Sequence, residues 1–161
     1  MDYYSSQSAC RIMGITLRQL RHWVDSDVIR PIRVDETGGQ KRYFFDFRNL
    51  LEISLVLSLK QRSLSLLQCK KAVEVFNREL KSAGSFSHLT LFSDGETFFA
   101  LSCHADAAFD VLRRGKTIFA IPMDELALEL SNKMDIEEKD TASLLFRQNK
   151  DSNYVLIKFK F

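Results

Sequence analysis

The chain contains no run of about 18 uncharged apolar residues, the length that a helix needs to cross a bilayer. Its start, residues 1–4, lacks the basic and then apolar stretch of a signal peptide. These two absences predict a protein that is neither exported nor held in a membrane, so we expect a cytoplasmic location. The 161 residues are 45% hydrophobic, which is enough for a folded core in one domain or two small ones.

Cysteine is scarce, and the three residues Cys10, Cys69 and Cys103 lie far apart without paired spacing. A disulfide framework is therefore not expected, and reduced thiols are. Cys103 adjoins His104, but a closed metal site needs three or four ligands, so we expect no metal and no cofactor. With Asp106 the same pair resembles a nucleophile and base, but adjacent residues at a strand end point apart, so we expect no enzyme.

Acidic residues are outnumbered in the first half of the chain only. Residues 1–83 contain 14 lysines and arginines against 9 acidic residues, a balance of +5, whereas residues 84–161 contain 9 against 12, a balance of −3. The two halves are therefore expected to have different partners, and a polyanion would bind the first.

Two helices joined by a glycine are predicted near the N-terminus. The first covers residues 6–13 and ends at Gly14. Thr16 and Gln19 then form a capping box, in which each side chain bonds to the backbone of the other, so the second helix begins at about Leu17.

At 100° per residue the second helix has an apolar stripe and a polar face. The stripe holds Leu17, Leu20 and Val24, with Trp23 at its edge. The opposite face holds Arg18, Gln19 and His22, with Arg21 on the flank.

A basic hairpin follows the second helix. Residues 28–34 are rich in β-branched side chains and are interrupted by Pro31, residues 35–39 have turn composition, and residues 40–45 form a basic and aromatic strand. The cations expected to contact the phosphate backbone from these arms are Arg33, Lys41 and Arg42. Beyond the hairpin, Asp46 is expected to cap a helix that runs to about Arg62 and is apolar on most sides.

A second capping box at residues 65–68 predicts a helix to about Ala83, whose apolar stripe can pack inside the chain or against a partner. Gly84 and Ser85 then mark the best domain boundary. The second half is predicted to contain a hairpin near residues 89–101, a helix at 106–114, a strand at 117–121, a helix at 122–133, a loop at 135–140 and strands at 143–146 and 154–161. The expected fold class is α+β.

The order of helix, glycine turn, polar-faced helix and basic hairpin is that of a winged helix-turn-helix, whose second helix fits a major groove about 12 Å wide. The segments SSQSACRIMGITLRQLRHWVDSDVIRP, RVDETGGQKRYFF, DFRNLLEI and RSLSLLQCKKAVEVF together resemble the DNA-binding domain of MerR-type transcriptional regulators. The resemblance covers roughly residues 4–80. It implies a winged helix-turn-helix over residues 1–83 and leaves residues 85–161 as a small α+β domain for dimerisation, sensing or partner docking.

The resemblance also implies a recognition helix at about residues 16–25, a wing at about residues 30–45, and a homodimer on a near-palindromic operator in double-stranded DNA. Asp27 departs from the glycine that the family prefers in the corner before the wing. The candidate DNA-binding residues are Thr16, Arg18, Gln19, Arg21, His22, Trp23, Arg33, Lys41, Arg42 and Tyr43.

A second interpretation keeps a protein-interaction module open, such as a DNA-binding antitoxin. In that case the acidic residues 85–161 would hold a protein partner, and residues 154–161 would add a strand to it.

Overall fold

The computed structural model describes residues 3–85, 88–94, 96–102 and 119–134. Its elements in chain order are β1 (Tyr4–Ser5), α1 (Ser6–Met13), α2 (Leu17–Asp25), β2 (Arg33–Thr37), β3 (Gln40–Phe45), α3 (Phe47–Gln61), α4 (Leu66–Ala83), β4 (Leu89–Ser93), β5 (Phe98–Ser102), β6 (Phe119–Pro122) and α5 (Met123–Lys133). The α+β class expected from the sequence is confirmed.

The helix boundaries follow local chemistry. Asp46 caps α3 by accepting a hydrogen bond from the backbone amide of Asn49 at 2.8 Å, and a capping box begins α4. Gly14 and Gly84 end α1 and α4 in the left-handed conformation, with φ of 65° and 69°, which a glycine adopts without steric cost. The predicted limits of these helices are confirmed.

The hairpin was predicted in the right place but with the wrong turn. We expected a strand over residues 28–34 and a turn at 35–39, whereas β2 begins at Arg33 and continues to Thr37. The turn is only Gly38 and Gly39, both with positive φ, which matches the twist of the two strands. The residues before β2 form a corner instead of a strand, in which Val28 and Ile29 are buried.

Two antiparallel sheets flank the helices, with strand orders β1-β3-β2 and β5-β4-β6. The hairpin expected near residues 89–101 is β4 with β5, and β6 and α5 lie within the strand and helix predicted around residues 117–133.

One hydrophobic core joins the two halves across residues 84 and 85. α4 packs against β5, and α3 packs against α5. The apolar stripe of α4 is buried inside the chain, which settles the choice that the sequence left open. Its buried residues are Cys69, Ala72, Val73 and Phe76.

Several expectations lie outside the described residues. They are the helix at 106–114, the loop at 135–140, the strands at 143–146 and 154–161, and the chemistry considered for Cys103, His104 and Asp106. The division into domains 1–83 and 85–161 and a protein partner on residues 85–161 stay predictions.

Candidate nucleic-acid interface

The start of α2 is a complete capping box. The Thr16 hydroxyl accepts a hydrogen bond from the backbone amide of Gln19 at 3.2 Å. In return, Gln19 Oε1 accepts hydrogen bonds from the backbone amide of Thr16 at 2.9 Å and from the Thr16 hydroxyl at 3.0 Å. A bidentate contact of glutamine to adenine needs that same oxygen as an acceptor. Gln19 would therefore have to leave the cap to read a base.

The burial of α2 differs from the predicted stripe at two positions. Leu20 and Trp23 are the buried residues of the helix, and Trp23 is only 5% exposed. The indole is therefore part of the core instead of a surface for DNA contact. Leu17 is 50% exposed, because the buried side is centred between Leu20 and Trp23 and the first helical residue lies at its margin.

The outward face of α2 is cationic. Arg18, Arg21 and His22 are all exposed. Within the part of the chain that the structure describes, neither Arg18 nor Arg21 has an ion pair, in contrast to Arg30 and Arg33. An arginine that forms no ion pair can bind an anion without first losing an internal partner.

The corner after α2 is held by Asp27, which has a φ of 56°. Its carboxylate accepts two hydrogen bonds from the Arg30 guanidinium, at 2.6 and 2.7 Å, and one from Lys70 of α4 at 3.0 Å. The hydrogen bonds from Arg30 and then Lys70 hold the pKa of Asp27 far below its usual range. The position where the resemblance implies a glycine thus carries a carboxylate in the left-handed region, which Asp tolerates better than most residues.

Asn49 also holds the corner through hydrogen bonds that were not predicted from the sequence. Its Oδ1 accepts from the Ile32 amide at 2.9 Å, and its Nδ2 donates to the Arg30 carbonyl at 3.0 Å. Nδ2 also donates to Glu52 at 3.1 Å, and burial raises the pKa of that carboxyl group. Asn49 is separated from the corner by 17 residues or more, so only the fold brings these groups together.

The wing has two faces with different charges. In the β2–β3 register, Arg42 lies opposite Asp35 and Lys41 lies opposite Glu36. Because neighbouring residues of a strand point to opposite faces, Lys41 and Arg42 cannot contact the same side of a ligand.

Arg33 lies on the same face of the wing as Arg42 and already forms an ion pair with Asp35. Its guanidinium donates to both carboxylate oxygens of Asp35, at 2.7 and 3.0 Å, and lies 5.6 Å from the centre of the Phe44 ring. Tyr43 is half-buried on the other face. The predicted wing cations therefore do not form one uniform patch.

The described residues contain no group of three His, Cys, Asp or Glu side chains that could hold a metal ion. Cys10 and Cys69 are buried as free thiols, and desolvation raises the pKa of both. None of the helices in the described ranges has the length and apolarity needed to span a membrane.

A glycine-linked pair of helices, the second with an exposed cationic face, followed by a two-stranded hairpin, defines a winged helix-turn-helix domain. Residues 4–74 match the sequence model of the MerR HTH family of regulatory proteins. The resemblance drawn from the sequence is confirmed over those residues.

Relatives of the chain are HTH-type transcriptional regulators of Mycobacterium bovis and Mycobacterium tuberculosis, both described as uncharacterized. Each is 29% identical to this chain over 128 residues, which cover 80% of the chain. The matched segment is 56% of the length of each relative, so the chain spans little more than half of them.

Proposed function

We propose that the chain is a sequence-specific transcriptional regulator that places α2 in the major groove of double-stranded DNA and its wing on the adjacent backbone. The observation that carries this proposal is the pair of exposed arginines, Arg18 and Arg21, without ion pairs among the described residues. Their helix is anchored by its buried side, so its polar face is presented on a rigid support. The family of residues 4–74 and the descriptions of the relatives support the same function.

The arginines and the wing cations have different roles in this proposal. Arg18 and Arg21 supply guanidinium groups that can bind guanine in bidentate fashion or bind phosphate. Arg33 and Arg42 contribute phosphate contacts from one face of the wing, which add affinity and register without sequence information. Arg33 must exchange Asp35 for phosphate, so its net contribution is smaller than that of an arginine without a partner.

The proposed active form is a homodimer on a near-palindromic site. Two-fold symmetry would place the two copies of α2 in successive major grooves, about 34–36 Å apart. The apolar stripe of α4 is already buried within the chain, so the dimer contact is expected elsewhere. Light scattering would measure the mass in solution, and a duplex with one half-site would bind more weakly than the whole site.

The proposed function is tested by selecting DNA from a random duplex library with the full chain. Fluorescence anisotropy then compares the selected duplex with a scrambled one across a salt series. We expect selective binding and a steep loss of affinity with salt. The proposed function requires the protein to be in the same compartment as the chromosome, which in a bacterium is the cytoplasm.

Variants locate the interface. Arg18→Ala and Arg21→Ala should each weaken binding by about 1–3 kcal/mol, the usual contribution of a bidentate base contact, while the thermal midpoint stays nearly constant. Arg78→Ala is the matched control, because Arg78 is exposed on α4. Equal affinity for both duplexes, or an equal effect of all three substitutions, would contradict the proposed interface.

A further inference from the structure

Leu17 is an exposed apolar side chain at the margin between the buried side of α2 and its outward face. It is 50% exposed, whereas the core side of α2 is completed by Leu20 and Trp23. Single exposed leucines are common on protein surfaces and need no explanation by themselves. The position of Leu17 gives it more significance, because it is the first residue of the proposed recognition helix.

The N-terminal end of a recognition helix is the part that contacts base edges. At this end, Thr16 and Gln19 bond to each other through four atoms of the capping box. The two side chains of the first turn that are outside the cap are Leu17 and Arg18, and both are exposed. The helix therefore meets the groove with one apolar group and one guanidinium, instead of with the glutamine that the sequence suggested.

Arg21 lies one turn along the helix from Leu17, on the same side. Leu17 thus lies beside two cations, Arg18 and Arg21, that can contact bases or phosphates. A duplex bound by those cations would bring the leucine side chain close to the base edges. The methyl group of thymine is the one apolar group that the four bases present in the major groove.

We propose that Leu17 is a specificity-determining residue that contacts the C5 methyl group of a thymine in each half-site of the operator. This inference rests on the proposed DNA-binding function and deepens it. It assigns to the first turn of α2 one position selective for thymine, next to the guanine selected by arginine. Removal of that methyl group is expected to weaken binding about 3- to 5-fold, the effect of losing one buried methyl-sized group.

The test uses the duplex selected from the random library and replaces each thymine in turn by deoxyuridine, which lacks only the methyl group. Anisotropy titrations measure the dissociation constants of the wild type, Leu17→Ala and Leu67→Ala. For the wild type, we expect one uracil position per half-site to lower affinity. For Leu17→Ala, we expect weaker binding to the thymine duplex and no further loss at that position.

Leu67→Ala is the matched control. Leu67 is 65% exposed in the first turn of α4, a helix that also begins with a capping box, so its removal deletes the same apolar group away from α2. This variant should lose affinity on uracil substitution as the wild type does. Thermal midpoints of both variants should stay close to that of the wild type, since both leucines are exposed.

The possible outcomes distinguish failure of this inference from failure of the proposed DNA-binding function. Selective binding with no uracil effect, or with an effect equally large in Leu17→Ala, would overturn the role of Leu17 and leave the regulator intact. Selected half-sites without thymine would also overturn it. Failure to obtain any selective duplex would remove the proposed function and the inference together.

Discussion

Helices α2 and α4 begin in the same way and end in different roles. Both start with a capping box, formed by Thr16 with Gln19 in α2 and by Ser65 with Gln68 in α4. α2 has 9 residues and buries two of them, whereas α4 has 18 and buries four in its packing against α3 and β5. A cap motif thus identifies where a helix begins, and the pattern beyond the cap determines what the helix does.

The two helices also differ in how their cations are paired with acidic residues. On α4, Arg78 pairs with Glu79 at 3.2 Å, and Lys70 pairs with Asp27 at 3.0 Å. On α2, the arginines of the outward face have no acidic partner in the described ranges. Lys70 and Arg78 are therefore paired within the chain, while Arg18 and Arg21 of α2 are available to an external anion. Four predictions, one of them already given for Leu17, can sharpen or break this contrast.

The largest effect is expected from the buried side of α4. Phe76 is completely buried in the core, so Phe76→Ala should lower the free energy of unfolding by about 3–5 kcal/mol through lost contacts and a cavity. Urea denaturation followed by circular dichroism measures this change. Leu67→Ala on the exposed side of the same helix should change it by less than about 0.5 kcal/mol. Similar values for the two variants would mean that the stripe of α4 is not core.

The two capping boxes are expected to contribute equally to the free energy of unfolding but unequally to DNA affinity. Thr16→Ala and Ser65→Ala should each cost about 1 kcal/mol of unfolding free energy, because each leaves an amide of the first turn without its acceptor. Only Thr16→Ala should also weaken operator binding, since it loosens the turn that carries Leu17 and Arg18. Parallel denaturation and anisotropy measurements on both variants test this, and equal losses of DNA affinity would break the contrast.

Local signals account for most of what the sequence predicted correctly. Ser, Thr and Asp caps, helix-ending glycines and apolar periodicity act within a few residues, and they located α1 to α4. The exposed arginines of α2 follow from the same periodicity. The strand limits were wrong because two adjacent glycines make a tighter turn than composition suggests.

The unpredicted part of the site depends on contacts between distant residues. Asn49 reaches the corner from α3, and Lys70 reaches Asp27 from α4 over 43 positions of sequence. Pairing of Arg33 with Asp35 depends on side-chain geometry within a strand. No periodicity encodes such contacts. The sequence therefore predicted the proposed recognition helix better than the side-chain contacts that orient it.

The smallest effect is expected at Asp27, whose carboxylate links the corner after α2 to Lys70 of α4. Its folded pKa is depressed by Arg30 and Lys70, so its stabilising charge is present above the unfolded pKa of about 3.9 and is lost as pH falls toward the folded pKa. Asp27→Asn keeps a residue that tolerates positive φ and removes the charge. The thermal midpoint of the wild type should exceed that of the variant slightly at pH 7, and the difference should narrow below about pH 4. Added salt should narrow it as well, because the ion pairs are exposed to solvent. A difference that stays constant from neutral to acidic pH would show that side-chain packing, and not the charge, ties α4 to the end of the proposed recognition helix.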